Sequence, residues 1–225
     1  MADVWPPYRL RLHAGDLDLR LVNDDDTPAL VEVAVAGIHD SDAMPFAVPW
    51  TLAPPDRLRA EVVRYFSSVR ASFVPASFDL LFAVRAAGVL VGVQALHCRD
   101  FAVTRTGETG SWIGQVHQGR GIGTRMRQAV CAFAFDHLGA AEVTSGAFLD
   151  NPASLAVSRK VGYRENGVVR QKRRDGELAL NQKLVLTPAD LIRGDPLTVT
   201  GAEDLRHFLE LDATTSDTST CDLAD

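Results

Sequence analysis

The sequence predicts a mixed α/β fold in one main domain. Its 225 residues are enough for one domain with an adequate core, since 46% are hydrophobic and 23% are charged. Segments with the two-residue period of strands alternate along the chain with segments that have the 3.6-residue period of helices. The predicted order is strand, two helices, three strands, helix, strand, helix and two strands. This order indicates a mixed α/β protein.

The first predicted elements are a strand and a helix. Residues 17–22 alternate leucines with charged residues, which predicts a half-exposed strand. The aspartates at 24–26 offer an N-cap, and Pro28 suits a first helical turn, so we expect a helix from Ala29 to about Ile38. Residues 39–55 are rich in proline, aspartate and aromatic residues and are predicted to form a loop.

A second helix and a hairpin follow. Asp56 can cap a helix, and we expect one stripe of that helix to be buried. The residues of this stripe are Leu58, Val62, Tyr65, Phe66 and Val69. Residues 78–84 and 89–96 are apolar and joined by Ala86-Ala87-Gly88, which predicts a hairpin of two strands.

The second half of the chain continues with strands and helices, followed by a short C-terminal segment. We expect the apolar stripe of the long helix after residue 120 to be buried. The predicted elements are a strand over 107–117, a helix over 121–138, a strand over 142–149, a helix over 152–161, a hairpin that includes 168–169 and 178–186, and a helix over 202–211.

The charge and cysteine content limit the partners and the compartment. The formal net charge is −6 and the pI about 5.5, which disfavours nucleic acid as a partner. Three widely spaced cysteines, Cys98, Cys131 and Cys221, predict reduced thiols and neither a disulfide framework nor a metal site. Residues 1–12 lack the apolar stretch of a signal peptide, and residues 78–96 are too interrupted to cross a membrane. We therefore expect a cytoplasmic protein without a membrane partner.

The segment that indicates function is a glycine-rich turn between a strand and a helix. It reads Gln118-Gly119-Arg120-Gly121-Ile122-Gly123. Glycines allow the backbone to approach a ligand closely, and the first turn of a helix presents unpaired N–H groups at the positive end of its dipole. Together these features predict a site for a pyrophosphate group.

The spacing of this turn does not fit the two common nucleotide motifs. A P-loop requires Lys and Ser or Thr after its second glycine, but Arg120-Gly121 stands there. A dinucleotide-binding turn requires a third glycine where the chain has Thr124, and it normally follows the first strand of a βαβ unit.

The pattern Gln118-x-x-Gly121-x-Gly123 resembles the acetyl-CoA loop of the GNAT superfamily of N-acetyltransferases. The flanking segments resemble its RimJ/RimL branch: residues 108–113 are similar to that branch's Glu-x-Gly-Tyr-Trp strand. Residues 151–154 and 158–163 match its Asn-x-x-Ser and Lys-x-Gly-Phe/Tyr signatures. The resemblance extends from Leu10 to Thr187.

This resemblance implies a twisted, mostly antiparallel mixed sheet flanked by helices. The sheet would splay between the fourth and fifth predicted strands, those ending near His117 and Leu149, and the pantetheine arm of acetyl-CoA would enter there. Gly114 would suit a bulge that opens the strand edge. The implied reaction is direct attack of a primary amine on the thioester, with no protein nucleophile and no metal.

The resemblance also implies roles for individual residues. Those implied to bind acetyl-CoA are Ile113, Gln115, Val116, Gln118, Gly119, Arg120, Gly121, Ile122, Gly123, Thr124, Asn151 and Ser154. Phe46, Trp50 and Trp112 are implied to contact the acceptor amine. Ser154 is the candidate general acid, because the tyrosine acid of many relatives is replaced here by Ser158. Glu108 is the candidate base, because it matches a carboxylate that recurs in this branch. His97 and His117 are alternative bases, although a lone histidine is more often structural.

Several alternatives remain open at the level of sequence. A non-catalytic acyl-CoA-binding or regulatory module would carry the same loop, and the missing tyrosine leaves this alternative open. The acceptor is either a peptide or protein N-terminal amine or a small-molecule amine, and a homodimer is one option for the assembly. We expect an acetyltransferase domain over 1–187, a helical extension over 188–211 and a disordered tail over 212–225.

Overall fold

A computed structural model describes residues 1–212, and the rest of the predicted tail lies outside the described residues. The described chain forms one nine-stranded sheet, in the order β7-β8-β6-β5-β4-β3-β2-β1-β9. All neighbouring strands are antiparallel except β5 and β6, which are parallel. The strands are β1 (Arg11–Ala14), β2 (Leu17–Leu21), β3 (Ser77–Ala86), β4 (Val89–Arg99), β5 (Thr106–Ile113), β6 (Glu142–Phe148), β7 (Arg164–Arg174), β8 (Glu177–Leu186) and β9 (Leu197–Thr200).

Helices cover both faces of this sheet. On one face α4 packs over a core that includes Phe82, Val130 and Phe133, and on the other α1 and α2 cover a second core with Leu81 and Val93. The strands alternate apolar residues between the two cores, as a sheet covered on both sides requires. The helices are α1 (Thr27–Val35), α2 (Pro55–Ala71), α3 (Phe101–Thr104), α4 (Ile122–Asp136), α5 (Pro152–Val161) and α6 (Ala202–Phe208), with 3₁₀ turns at Pro6–Arg9, Trp50–Leu52 and Gln115–His117.

The predicted fold class is confirmed, and the two strands that separate are those expected. The sequence analysis counted them as the fourth and fifth strands. They are β5 and β6 of the structure, because β1 was not predicted. The strand β9 was also missed. Each of these strands has only four residues, so neither presents enough alternation to be recognised in the sequence.

The segment after residue 187 packs against the rest of the fold. Strand β9 pairs with β1, and Gln128 of α4 donates a hydrogen bond from Nε2 to the carbonyl of Ile192 at 2.8 Å. Arg206 of α6 donates to the carbonyl of His137 at 2.9 Å. These contacts cover one side of α4, which explains why Gln128 is buried.

Three local predictions were wrong. The strand expected over 107–117 ends at Ile113, because the backbone turns at Gly114 into a 3₁₀ turn. The bulge expected at Gly114 is in β4 instead: the β3–β4 register shifts so that Val91 is an extra residue, and its carbonyl accepts the N–H of Gly114 at 2.9 Å. In α2, Tyr65 is 47% exposed, although the stripe predicted its burial.

The expected helix caps are also corrected. Helix α2 begins at Pro55, and no side chain caps it, so Asp56 lies within its first turn. Asp26 precedes α1 but makes no capping hydrogen bond. Its fully buried carboxylate accepts hydrogen bonds from Arg20 and Arg85, each at 2.7 Å, and this ion pair joins the start of α1 to β2 and β3.

We predict that Asp26→Ala destabilises the fold. Burial alone would raise the pKa of Asp26, but the hydrogen bonds from Arg20 and Arg85 outweigh burial and lower it. Removing one partner of a buried ion pair costs about 3–5 kcal/mol, and we expect the low end because both guanidinium groups are partly exposed. Urea unfolding at pH 7 measures this loss.

The pH dependence and a control make this prediction specific. A lowered pKa means that the stabilisation is present above the unfolded pKa of about 3.9 and is lost as the pH falls through the folded pKa. The difference in the free energy of unfolding between wild type and Asp26→Ala should therefore become smaller as the pH falls below about 3.9. The exposed neighbour Asp25, changed to Ala, should alter the free energy of unfolding by about 0.5 kcal/mol or less. Equal stabilities of the two variants would contradict the structural role of Asp26.

Candidate active site

The site begins where β5 and β6 separate. The two strands pair only from Thr106 to Glu108 and from Glu142 to Thr144. Beyond these residues β5 stays paired with β4 and β6 stays paired with β8. Because neither strand has a partner on its inner side, a wedge-shaped opening forms in the centre of the sheet.

Buried polar side chains fill the narrow end of this opening. Thr109 of β5 contacts Tyr163 through their hydroxyl oxygens at 2.8 Å, and Ser145 of β6 donates to the carbonyl of Thr109 at 3.1 Å. Cys131 of α4 lies behind them, with its sulfur 3.4 Å from the Tyr163 hydroxyl. Burial raises the pKa of Cys131 to about 11, so this thiol is neutral at pH 7 and does not supply a thiolate nucleophile.

A buried guanidinium spans the next part of the opening. Arg127 of α4 is 5% exposed and donates from Nη2 to the hydroxyl of Ser111 on β5 at 3.0 Å and from Nη1 to that of Ser158 on α5 at 2.9 Å. It forms no ion pair with any carboxylate of residues 1–212, and its Nε has no partner there. The site therefore holds an uncompensated positive charge between β5 and α5.

The backbone of β5 offers one further unpaired edge. The Thr109 carbonyl faces β6, since it accepts the Ser145 hydroxyl, and backbone groups two residues further along a strand face the same side. The N–H and C=O of Ser111 therefore face the opening beyond the last β5–β6 pair. The sequence analysis did not select Ser111 or Arg127, since only the folded chain places them together.

The glycine turn lies at the wide end of the opening, before α4. Its backbone amides at residues 119–123 donate to no other atom of residues 1–212, whereas the amide of Thr124 donates to the carbonyl of Gly121 at 3.2 Å. Gly119 and Gly121 have φ values of +73° and +76°, and a Cβ added to either would meet no atom within 4 Å. The turn is thus a row of free N–H groups facing open space at the N-terminus of a 15-residue helix.

Side chains of the loop hold it in place. Gln118 donates from Nε2 to the carbonyls of Ile38 at 2.6 Å and Ile113 at 2.8 Å. Gln115 donates from Nε2 to Asp40 at 2.6 Å. Two side chains predicted to bind the cofactor thus form hydrogen bonds within the protein and fix the turn relative to β5 and α1.

The remaining predicted loop residues differ in exposure. Ile122 is 6% exposed and belongs to the α4 core, whereas Val116 is 72% exposed. Arg120 is exposed beside the free amides. Arg125 instead forms ion pairs with Asp16 and Asp195, so it tethers α4 to the β1–β2 turn and the C-terminal segment.

Helix α5 begins beside the opening. Asn151 is its N-cap, and its Oδ1 accepts the N–H of Ser154 at 3.1 Å. Within the described residues, the hydroxyl of Ser154 has no hydrogen-bond partner. The proton of the Ser158 hydroxyl is already donated to the Ser154 carbonyl at 3.0 Å, and the hydroxyl oxygen accepts from Arg127.

The opposite face of the sheet carries an aromatic cluster, defined here as Phe46, Trp50 and Trp112. The ring centroids of Phe46 and Trp50 are 5.3 Å apart, and those of Trp50 and Trp112 are 5.9 Å apart. Glu108 lies on the same face of β5 as Trp112 and is exposed. Its carboxylate forms no hydrogen bond or ion pair with residues 1–212. Glu108 and Ser154 thus belong to opposite sides of the sheet.

The divided sheet and the glycine turn at its centre are together typical of acetyltransferase domains. Residues 16–164 match the acetyltransferase (GNAT) domain family, and the chain belongs to that family. This match confirms the resemblance found in the motifs. Among residues 1–212, no helix is both long enough and apolar enough to cross a membrane.

Individual relatives agree with this assignment. The chain is 36% identical over 89 residues to YdaF of Bacillus subtilis (strain 168), whose name assigns it provisionally to the ribosomal N-acetyltransferases. That match spans 40% of this chain and 46% of YdaF, so the chain spans about half the length of this curated relative.

Two solved structures share the fold. RimJ of Mycobacterium smegmatis, in complex with a CoA disulfide, has a TM-score of 0.66 and 20% identity, covering 90% of this chain and 95% of RimJ. RimL, an α-N-acetyltransferase of a ribosomal protein, in complex with coenzyme A, has a TM-score of 0.62 and 17% identity, covering 77% and 95%. At these identities the similarity establishes the fold.

We predict that Gly121→Val weakens acetyl-CoA binding. The loss of affinity should be larger than any loss that results from a lower stability of the variant. A β-branched residue is strained at a φ of +76°, and its side chain would extend into the open space in front of the amides. Calorimetric titration with acetyl-CoA measures the affinity, and thermal unfolding measures the stability.

Gly139 provides a matched control for this prediction. It lies just beyond the other end of α4, has a φ of +73°, and a Cβ there would also meet nothing within 4 Å. Gly139→Val should therefore carry similar backbone strain but leave acetyl-CoA affinity unchanged. If both variants bound acetyl-CoA like wild type, the turn would be only a connection between β5 and α4.

Proposed function

We propose that this protein transfers an acetyl group from acetyl-CoA to a primary amine, which attacks the thioester directly. The observation that carries the proposal is the row of free amides at residues 119–123 facing the wide end of the opening between β5 and β6. A pyrophosphate bound there would satisfy donors that have no partner in the described chain. Membership of the GNAT family supports the same reaction.

The residues around the opening suit a long carrier molecule. Arg120 adds a positive charge beside the amides, and the open space over Gly121 leaves room for phosphate oxygens. The free backbone groups of Ser111 can pair with the amide groups of a pantetheine arm, in place of the missing strand neighbour. These features would direct the thioester towards Arg127 and α5.

The groups on α5 and α4 suit stabilisation of a departing thiolate. Ser154 has a hydroxyl with no protein partner, so it can donate a proton or a hydrogen bond to the sulfur. Arg127 supplies a buried positive charge, and a fixed charge stabilises a developing negative charge more strongly at a site shielded from water. The Ser158 hydroxyl is occupied, which favours Ser154 over Ser158 as the acid.

The acceptor amine would approach from the opposite face of the sheet. The aromatic cluster borders that face, and Asp40 and Asp42 lie in the loop that contributes Phe46 and Trp50. Aromatic faces and carboxylates both attract a cationic ammonium group. Glu108 is exposed on this face as a candidate base. We propose a peptide α-amino group or a small primary amine as the acceptor.

Acetyl-CoA binding and turnover test the proposed function directly. At about 100 times its dissociation constant, acetyl-CoA should stabilise the fold by about 2.7 kcal/mol, a rise in Tm of roughly 5–10 °C for a chain of this size. A panel of short peptides and small amines should release free CoA thiol, with a matching acetylated product in mass spectrometry. Stabilisation without turnover of any amine would favour the non-catalytic acyl-CoA-binding module.

We predict that Ser154→Ala lowers kcat with little change in acetyl-CoA affinity. A hydroxyl that acts only on the departing thiolate contributes in the transition state and not in binding. General-acid catalysis typically contributes 10²–10⁴-fold, and we expect about the low end because water can replace the hydroxyl. Thiol release under conditions where chemistry limits turnover measures this effect.

Ser158→Ala serves as the matched comparison, one helical turn further along α5. It should lower turnover less, but it should cost about 1–3 kcal/mol of stability, because it leaves a buried Arg127 donor without a partner. Wild-type turnover in Ser154→Ala would exclude Ser154 from the mechanism and leave solvent as the proton donor.

A further inference from the structure

We infer that His97, oriented by Asp79, accepts the ammonium proton of the acceptor amine. This inference rests on the proposed function and identifies the base in that reaction. The sequence indicated Glu108 as the candidate base. The structure places an imidazole–carboxylate pair directly beside it.

Three side chains lie in register on neighbouring strands. Asp79 of β3 is paired with His97 of β4, and His97 is paired with Glu108 of β5. Directly opposite residues have Cβ atoms about 4.5–5.5 Å apart, so the three side chains form a row across the sheet. All three lie on the α2 side of the sheet, the side of the aromatic cluster.

The imidazole is held in the tautomer that a base needs. Its Nδ1 lies 3.0 Å from Oδ1 of Asp79, and Asp79 also accepts a hydrogen bond from Arg99 at 2.7 Å. Burial alone would raise the pKa of Asp79, but the hydrogen bonds from His97 and Arg99 bring it to about 2. A carboxylate that stays charged keeps the proton on Nδ1, so the lone pair of Nε2 is free. Nε2 has no partner within residues 1–212.

The free nitrogen lies next to the start of the opening. A Cβ at Gly110 would be 3.4 Å from His97 Nε2, so the ring lies beside the backbone of Gly110. Gly110 is two residues beyond the last β5–β6 pair and two residues before Trp112. The imidazole therefore lies between the aromatic cluster and the point where the strands separate.

Charged groups surround the imidazole ring. The ionisable groups around the ring are Asp79 and its partner Arg99, Glu108 on β5, and Tyr65 on α2. Two carboxylates and one guanidinium give this cluster a net negative charge. This negative charge attracts the cationic ammonium group of the acceptor.

The proposed proton transfers balance. His97 Nε2 takes one proton from the ammonium group, and the neutral amine attacks the thioester carbon. The N–C bond forms, the C–S bond breaks, and the second proton lost by nitrogen passes through the Ser154 hydroxyl to the thiolate. His97 then releases its proton to water, so the net products are the amide, CoA thiol and one proton.

The test is His97→Gln, assayed with acetyl-CoA and a short lysine-free peptide that has a free N-terminus. At pH 7 we expect kcat/KM to fall about 10²-fold, within the usual range for a general base, with unchanged acetyl-CoA affinity. An α-amino group has a pKa of about 7.7–8.0, so above pH ~9 the acceptor is already neutral and the defect should shrink. Asp79→Asn should cause a smaller loss, since Asp79 acts by positioning the imidazole.

A second His–Asp pair in the same fold supplies the control. His13 of β1 lies 3.1 Å from Asp18 of β2, on strands that do not border the opening. His13→Gln should keep wild-type turnover at every pH. Wild-type rates in His97→Gln across the pH range would overturn the role of His97 while leaving acetyl transfer intact. No acetylation of the peptide by the wild-type protein would overturn this inference together with the choice of a peptide acceptor.

The tautomer can be measured without turnover. In ¹⁵N-labelled protein, long-range ¹H–¹⁵N NMR spectra at pH 8 should assign the proton of His97 to Nδ1, and Asp79→Asn should produce a mixture of tautomers. A proton on Nε2 in the wild-type protein would overturn the inference, whatever acceptor the enzyme uses.

Discussion

The structure depends on the short parallel pairing between β5 and β6. Three residue pairs join the two halves of the sheet, and beyond them each strand keeps a partner on its outer side only. A continuous ladder would satisfy the inner backbone groups but would close the sheet to any ligand. The separation leaves polar groups unpaired inside the domain, which is costly unless something replaces the missing strand. An extended ligand with amide groups can form the hydrogen bonds that these unpaired backbone groups lack.

Side chains of the protein fill part of the opening and form some of the missing hydrogen bonds. At the narrow end, hydroxyl groups of Thr109, Ser145 and Tyr163 take the place of the ladder. Further along, Arg127 bridges Ser111 and Ser158, and its charge has no carboxylate partner in residues 1–212. An isolated charge in a protein interior costs several kcal/mol, a cost that an anionic group in the opening would offset. In the proposed reaction, this buried charge would lie near the position where the thiolate develops.

The elements that could be predicted from the sequence are those that depend on neighbouring residues in the chain. Helix α5 runs from Pro152 to Val161, as expected, because proline begins it and Gly162 ends it. The glycine turn was recognised for the same reason, since its positive φ values depend on single residues. The partners of side chains depend on distant elements: Gln118 reaches Ile38, 80 residues away, and Asp26 forms a buried ion pair instead of the expected cap. Neither contact leaves a periodic pattern in the sequence.

In the proposed reaction, the two proton transfers involve groups on opposite faces of the sheet. Ser154 and Arg127 belong to the α4 and α5 side, whereas His97 and Glu108 face α2 and the aromatic cluster. With the sheet between them, the shortest connection passes through the opening, where the amine nitrogen, carbonyl carbon and sulfur would be aligned. In the proposed reaction, the separation of β5 and β6 would therefore align the reactants between an acid on one face of the sheet and a base on the other.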